Sequence, residues 1–257
     1  MSYRGPRLKN PCILCGEREG TIKTSDGLVC GACMPRDLLA YAPRKRRGDI
    51  EYYKRSHPSW VSCEAPAAAY DPAKVSPDRS MAITGADPVI LADEYNSQMG
   101  TAEGIDILVS FIKCSGLNLL IDSLREFSRR GRLRVITTTY MGATEWQAIS
   151  DLLSLPNAEV RMELDAGEES LHAKCILFRR PGGDSTAYVG SANFSQRALT
   201  SGEEWVVKVR EQDGPDVVRD VERGYEALWD SGRYKKITKA DRAKVEAALS
   251  RRGMGSR

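Results

Sequence analysis

Three short apolar runs, separated by stretches of helical periodicity, constrain this chain more than anything else in it. Residues 105–112 read IDILVSFI, a nearly continuous apolar run of the kind covered on both faces of a sheet. LRVITTT (133–139) and AEVRMEL (158–164) are second and third runs of strand type. Between the first two, SGLNLLIDSLREFSRRG places apolar residues at helical spacing, with Ser115 as the predicted N-cap and Gly131 as the stop. Residues 143–155 form a second predicted helix, ending before Pro156. Strand, helix, strand, helix, strand requires right-handed crossovers, and so predicts an α/β domain with a mixed, mostly parallel sheet. Further on, LHAKCILFRR and STAYVGSA flank a Pro-Gly-Gly-Asp turn and predict a hairpin, and EEWVVKVR adds a strand. Helices are predicted over 94–103, 216–229 and 239–251.

The flanks of this domain differ in composition. Cys12-Ile-Leu-Cys15 and Cys30-Gly-Ala-Cys33 give C-x2-C-x14-C-x2-C, with Gly16 and Gly31 easing the two tight turns. Four thiolates at this spacing predict a structural Zn2+ site of zinc-ribbon or knuckle type, closed to water and therefore not catalytic. Cys63, Cys114 and Cys175 have no partner by spacing and are read as idle thiols. The predicted organisation is a four-cysteine module over 1–41, a linker over 42–86, the α/β domain over 87–232, and a basic C-terminal helix and tail over 233–257. The linker is rich in Pro, Ser, Arg and Ala, with local packing from Tyr52, Tyr53 and Trp60, and His57 falls within it as a loop residue.

Charge follows the same divisions. Basic residues outnumber acidic ones 12 to 6 in 1–60 and 9 to 2 in 233–257, whereas 61–232 carries 17 basic against 27 acidic residues. A polyanionic partner would be gripped largely by the ends, for example by Arg44-Lys45-Arg46-Arg47. No run of about 18 apolar residues and no apolar leader is found, so the expectation is a cytoplasmic protein without a membrane partner. No G-x4-G-K-[ST] stretch occurs, which excludes a P-loop motor within this sequence.

The chemistry concentrates in one place. One of only two histidines, His172, stands two residues before Lys174 on a predicted strand, where alternation would put both on one face. Gly190-Ser191-Ala192-Asn193 follows a hairpin later, and Glu203-Glu204-Trp205 opens the next strand. Attack on a phosphodiester needs a nucleophile, donors for the non-bridging oxygens and an acid for the leaving oxygen. His172 can supply a nucleophilic nitrogen, Lys174 and Asn193 can grip the phosphate, and Ser191 can donate a further hydrogen bond. Trp146, Trp205 and Trp229 are expected in the core rather than as base-stacking platforms.

His172-Ala-Lys174 with Gly190-Ser191-Ala192-Asn193 resembles the phospholipase D superfamily signature, H-x-K followed by G-[SG]-x-N. IDILVSFIKCSGLNLL, GRLRVITTTYMGATEWQAI, LHAKCILF, VGSANFSQRAL and GEEW are more closely similar to the phospholipase D-like (HKD) nuclease domains of bacterial superfamily 2 helicases and some restriction endonucleases, over about residues 88–232. The resemblance implies a phospholipase D-like α-β-α domain. It also implies a phosphohistidine on His172, and a carboxylate, at Glu204 or the adjacent Glu203, that orients the histidine. The family motif has an aspartate five residues after the lysine, where this chain has Arg179, and Asp184 is read as a turn residue rather than its replacement. Because the superfamily uses two motifs about a twofold axis and this chain has one, the resemblance implies a homodimer. The second His172 would then protonate the leaving oxygen, with no metal required for catalysis. The expected function is a nuclease acting on DNA, with RNA as the alternative substrate, in restriction or anti-phage defence beside a helicase or other defence-system partner. Two other readings stay open: a non-catalytic module recognising nucleic acid or protein, and a phospholipase. The acidic middle of the chain favours the first of these, and the lack of an amphipathic membrane stretch weighs against the second.

Overall fold

The charge pattern of the first predicted strand already sets the fold: Ile105 and Ile107 must face one apolar layer while Asp106, between them, faces another surface. In the computed structural model, which describes residues 71–164 and 171–254 together with two short strands near the N-terminus, this is what is found. The backbone divides into two units, Met1–Ser62 and Cys63–Arg257. In the first, β1 (Ile22–Lys23) pairs antiparallel with β2 (Leu28–Val29), between the two cysteine pairs in sequence. Cys12, Cys15, Cys30 and Cys33 lie outside the described residues, as do Cys63, His57 and Trp60.

In the second unit β3 (Met81–Ile83), β4 (Gly104–Leu108), β5 (Arg132–Thr138), β6 (Ala158–Glu163), β7 (Cys175–Arg179), β8 (Thr186–Gly190), β9 (Val206–Arg210) and β10 (Lys235–Lys236) form one sheet in the order β10-β6-β5-β4-β7-β8-β9-β3. The sheet is mixed, as expected, but not mostly parallel: only β4–β5 and β5–β6 run parallel, and the other five pairings are antiparallel. The reason lies in the connections. Helical connections carry β4 to β5 and β5 to β6 back across the sheet into parallel pairs, whereas β7 and β8 are joined by Pro181-Gly182-Gly183-Asp184, with Gly182 and Gly183 at φ 75° and 82°, which folds straight back.

Helices cover both faces, giving the expected α-β-α layering. On one face lie α1 (Leu91–Met99), α2 (Cys114–Leu117), α3 (Ile121–Ser128), α4 (Trp146–Leu152), α5 (Gln196–Thr200) and α7 (Arg242–Met254). They share a core with Ile105, Ile107, Leu133, Val135, Phe178 and Tyr188. On the other face α6 (Pro215–Asp230) packs Tyr225 and Trp229 against Leu108, Ile136 and Cys175, and Val218 against Leu177 and Ala187. Among the described residues no helix is long and apolar enough to cross a membrane.

Several boundaries move. Part of the stretch read as linker belongs to the domain, because β3 is an edge strand paired with β9. In addition, the Ser76 backbone N–H and hydroxyl both donate to buried Glu94, at 2.7 and 2.8 Å. Lys208 and Tyr188 complete that carboxylate's partners at 3.0 and 2.5 Å. The predicted tail is also integral: β10 extends the sheet beside β6, and Val245 and Ala248 are buried in the main core. The single helix expected from Ser115 is two, and Ser115 does not cap it. Instead Glu145, from a distant loop, accepts the Cys114 N–H at 2.7 Å.

Candidate active site

The Gly190-Ser191-Ala192-Asn193 turn exists because two backbones touch. A Cβ on Gly190 would sit 2.1 Å from the Trp205 carbonyl oxygen, so only glycine lets β8 end against the start of β9. That contact fixes the next residue: the Ser191 N–H donates to the Trp205 carbonyl at 3.0 Å, and the Trp205 N–H donates to Ser191 Oγ at 3.0 Å. The Ser191 hydroxyl in turn donates to Glu204 Oε2. Of the two candidate carboxylates Glu204 is thus the one turned to the motif, while Glu203 is exposed.

Asn193 is held from the opposite side. Its Oδ1 accepts the Phe111 N–H at 3.2 Å just beyond the end of β4, and among the described residues its Nδ2 has no partner. A side-chain amide fixed by its oxygen presents its N–H2 to whatever enters.

His172 and Lys174 are placed differently from expectation. They lie ahead of β7, which starts at Cys175, and they do not share an environment: His172 is exposed, whereas Lys174 is only 5% exposed. The Gly190 N–H donates to the Lys174 carbonyl at 3.1 Å, so the segment continues the β7–β8 register without being strand. Lys174 Nζ donates to the His172 carbonyl, its one partner among the described residues. Burial pushes the Lys174 ammonium below the usual lysine range, and the Glu204 charge partly offsets this. A buried ammonium with spare N–H groups is costly unless an anion completes it.

The structure therefore brings Lys174, Ser191, Asn193 and Glu204 together at the ends of β4, β7, β8 and β9, with His172 next in chain to the lysine. It shows no hydrogen bond from Glu204 to the His172 ring. That imidazole instead meets Tyr140 edge to face, with ring centroids 6.1 Å apart. Tyr140 was missed in the sequence. It opens a 3-10 turn (Tyr140–Gly142) after β5, where Met141 adopts φ 52°, a left-handed conformation costly for a non-glycine residue and one that often marks a working loop. Thr138 ties this loop to β4: its hydroxyl donates to the Ser110 carbonyl at 2.9 Å and accepts the Tyr140 N–H at 2.9 Å. Ser110 Oγ is buried without a partner.

Other expectations resolve plainly. Trp146 and Trp229 are core residues, each 8% exposed, but Trp205 is 70% exposed. Cys114 and Cys175 are buried and free, and burial pushes the Cys175 thiol up to about 12, in keeping with an inert role. Asp184 accepts from Arg210 and Gln212 at the turn. Among the described residues no three His, Cys, Asp or Glu side chains are grouped to hold a metal.

The family described as cardiolipin synthase, PLD-like domain matches residues 98–229, and the chain belongs to that family. Among solved structures it is similar to NucT from Helicobacter pylori (16% identity over 62% of this chain and 99% of that one, TM-score 0.47). It is also similar to Nuc, a phospholipase D family member from Salmonella typhimurium (18% identity, 56% and 88% covered, TM-score 0.43). A third is the phosphatidylserine synthase of Haemophilus influenzae (12% identity, 76% and 48% covered, TM-score 0.44). No curated protein matches the sequence.

Proposed function

We propose that this chain is a phosphodiesterase of nuclease type that cuts DNA through a phosphohistidine on His172. The observation that carries the reading is the buried Lys174 ammonium, short of partners, beside the free Asn193 amide and the Ser191–Glu204 pair. The ammonium and the amide N–H2 are the donors suited to a phosphate, and Glu204 supports the lysine charge. An imidazole nitrogen of His172 attacks phosphorus, forming a P–N bond as the P–O bond to the leaving oxygen breaks. Lys174 and Asn193 take up the charge on the non-bridging oxygens, and Ser191 can add a donor only by releasing Glu204. The leaving oxygen collects its proton from the His172 of a second copy, which then takes a proton from the water that hydrolyses the P–N bond. Glu204 serves this cycle by holding Ser191 and supporting the Lys174 charge, and a role in orienting His172 would need the ring to turn towards it. The working unit is accordingly a homodimer. Structural Zn2+ on Cys12, Cys15, Cys30 and Cys33 would staple the N-terminal module, and the basic ends would hold nucleic acid. A helicase or other defence-system partner fits the chain's resemblance to helicase-associated domains.

The test is cleavage of labelled single- and double-stranded DNA in EDTA, with zinc content followed in parallel because chelation can unfold a zinc module. Cleavage that survives chelation supports the reading, whereas tight binding without cleavage would point to a recognition module. Light scattering addresses the dimer, and a stable monomer with full activity would refute it.

The state of Lys174 makes a second prediction. The ammonium must be charged to work, and burial lowers its pKa, so the alkaline limb of kcat/KM should lie below the ordinary lysine value of about 10.4. Since Glu204 holds that pKa up, Glu204→Gln should move the limb lower still. A limb that stays put or rises in the variant sinks the assignment. The stability sign is opposite to that of a paired lysine: between the folded and unfolded pKa values the unfolded chain binds more protons, so the Lys174 contribution improves as pH rises.

A further inference from the structure

Among the described residues Trp205 is the largest side chain that the fold leaves uncovered, and it stands at the motif. Its indole is 70% exposed, although the other two tryptophans of the domain are buried. Its backbone is not loose, because both its N–H and its carbonyl are bonded to Ser191 and the carbonyl abuts Gly190. The ring is thus presented from a fixed point, next in chain to Glu204 and hydrogen-bonded through its backbone to Ser191 of the motif.

The surroundings extend the apolar surface away from the site. Val207, two residues along the same face of β9, is 48% exposed, and Val189, directly across from it in the β8–β9 register, is 41% exposed. Helix α6 covers this sheet face only further along, at Ala187, Leu177 and Val209. A strip of three apolar side chains therefore runs from the edge of α6 to the Ser191–Glu204 pair.

We propose that the Trp205 indole is a stacking platform for an unpaired nucleobase of the strand whose phosphate lies at Lys174 and Asn193. The proposal rests on the nuclease reading and names how that site takes its substrate. A nucleotide joins a phosphate to a flat π face, and the structure offers phosphate donors beside a flat π face. Exposed Glu203, two residues before the indole, disfavours a phosphate there, which leaves the base as the part of a nucleotide that fits. Three residues are too small an area for a membrane surface, and a base-paired nucleotide hides both its faces within the stack. The substrate class this selects is a single strand, or a duplex end frayed to one.

The experiment uses the full-length His172→Ala protein, so that strands stay intact, and measures binding of a labelled single-stranded oligonucleotide by anisotropy. Adding Trp205→Ala should weaken binding roughly 5- to 150-fold, the range for loss of one stacked base, whereas Trp205→Phe should retain most of the affinity. An oligonucleotide of abasic residues should bind the parent weakly, and Trp205→Ala should weaken that complex no further, which a purely structural role for the tryptophan would not produce. Equal losses on base-bearing and abasic strands, or no loss at all, overturn the proposal. So does a shift from dimer to monomer on Trp205→Ala, which would make the strip a contact between copies. If wild type cleaves DNA while Trp205→Ala binds like its parent, this inference alone falls. If the parent binds no nucleic acid and wild type cleaves none, the nuclease reading falls with it.

Discussion

His172→Ala is expected to lower DNA cleavage by about 10^4-fold or more, the scale on which removal of a nucleophile is felt. Folding should be untouched. His172 is exposed, and among the described residues its ring makes no hydrogen bond and its one aromatic partner is Tyr140, edge to face, so the stability change should stay within about 0.5 kcal/mol. A loss of activity with an unchanged melting curve and retained DNA binding therefore isolates chemistry from structure. Two further readouts separate a nucleophile from a mere contact. Wild type quenched during turnover should carry a DNA adduct that is labile to acid and stable to alkali, as a phosphoramidate is, and His172→Ala should carry none. Mixing the variant into wild type under conditions where subunits exchange should lower activity with the square of the wild-type fraction, because one shared site needs both imidazoles. A linear decline would show that each copy works alone. Residual cleavage within about tenfold of wild type would remove His172 from the mechanism altogether.

The parts of this protein that were legible in its sequence are those whose signal is local. IDILVSFI, LRVITTT and AEVRMEL announce buried strands because each buries a face along its own length, and they became β4, β5 and β6. Gly190-Ser191-Ala192-Asn193 was legible because its signature is carried by consecutive residues, although the backbone approach that demands Gly190 comes from Trp205 on the next strand. What the sequence hid depends on partners far along the chain. The edge strand β3 is three residues long and becomes a strand only by pairing with β9, more than a hundred residues later. The direction of β7 follows from where the chain goes after β6, which no periodicity encodes. Alternation suggested that His172 and Lys174 share a face, but regular pairing starts only at Cys175, and the two side chains meet different surroundings. Trp205 was expected in the core because tryptophan is apolar, and its exposure follows from where α6 ends.

Asp106→Ala should be strongly destabilising while leaving the candidate site untouched. A charge in the middle of IDILVSFI was a visible anomaly, and the β4–β5 register places Asp106 directly beside Arg134. The carboxylate is 1% exposed and accepts two bonds from Arg134, at 2.6 and 2.8 Å, and one from Arg179 at 2.5 Å. Both guanidiniums reach on to α6: Arg134 to Glu226 at 2.7 and 2.8 Å, and Arg179 to Glu222 and Glu226 at 3.0 and 2.9 Å. Arg134 also lies over the Tyr225 and Trp229 rings, at 4.9 and 5.0 Å from their centroids. Arg179, at the position where the family motif has an aspartate, thus finds its counter-ions across the sheet and on α6. Burial opposes the Arg134 charge, but the bonds to Glu226 and Asp106 outweigh it and hold the group above its ordinary pKa. Removing Asp106 takes from Arg134 and Arg179 the buried carboxylate they share and leaves Arg134 with Glu226 alone, a loss of about 3–5 kcal/mol, or roughly 6–20 °C in Tm for a domain of this size. Because replacing a whole buried pair by apolar groups is often close to neutral, Asp106→Leu with Arg134→Met should lose less than Asp106→Ala alone. Acid should weaken the same joint. Chiefly through its bonds to Arg134, Glu226 is held below the usual glutamate range, so its contribution is present above the unfolded value and is lost as pH falls through the folded one. If thermal melts show Asp106→Ala within about 1 kcal/mol of wild type, or the double variant worse than the single, the network does not pin α6 to the sheet.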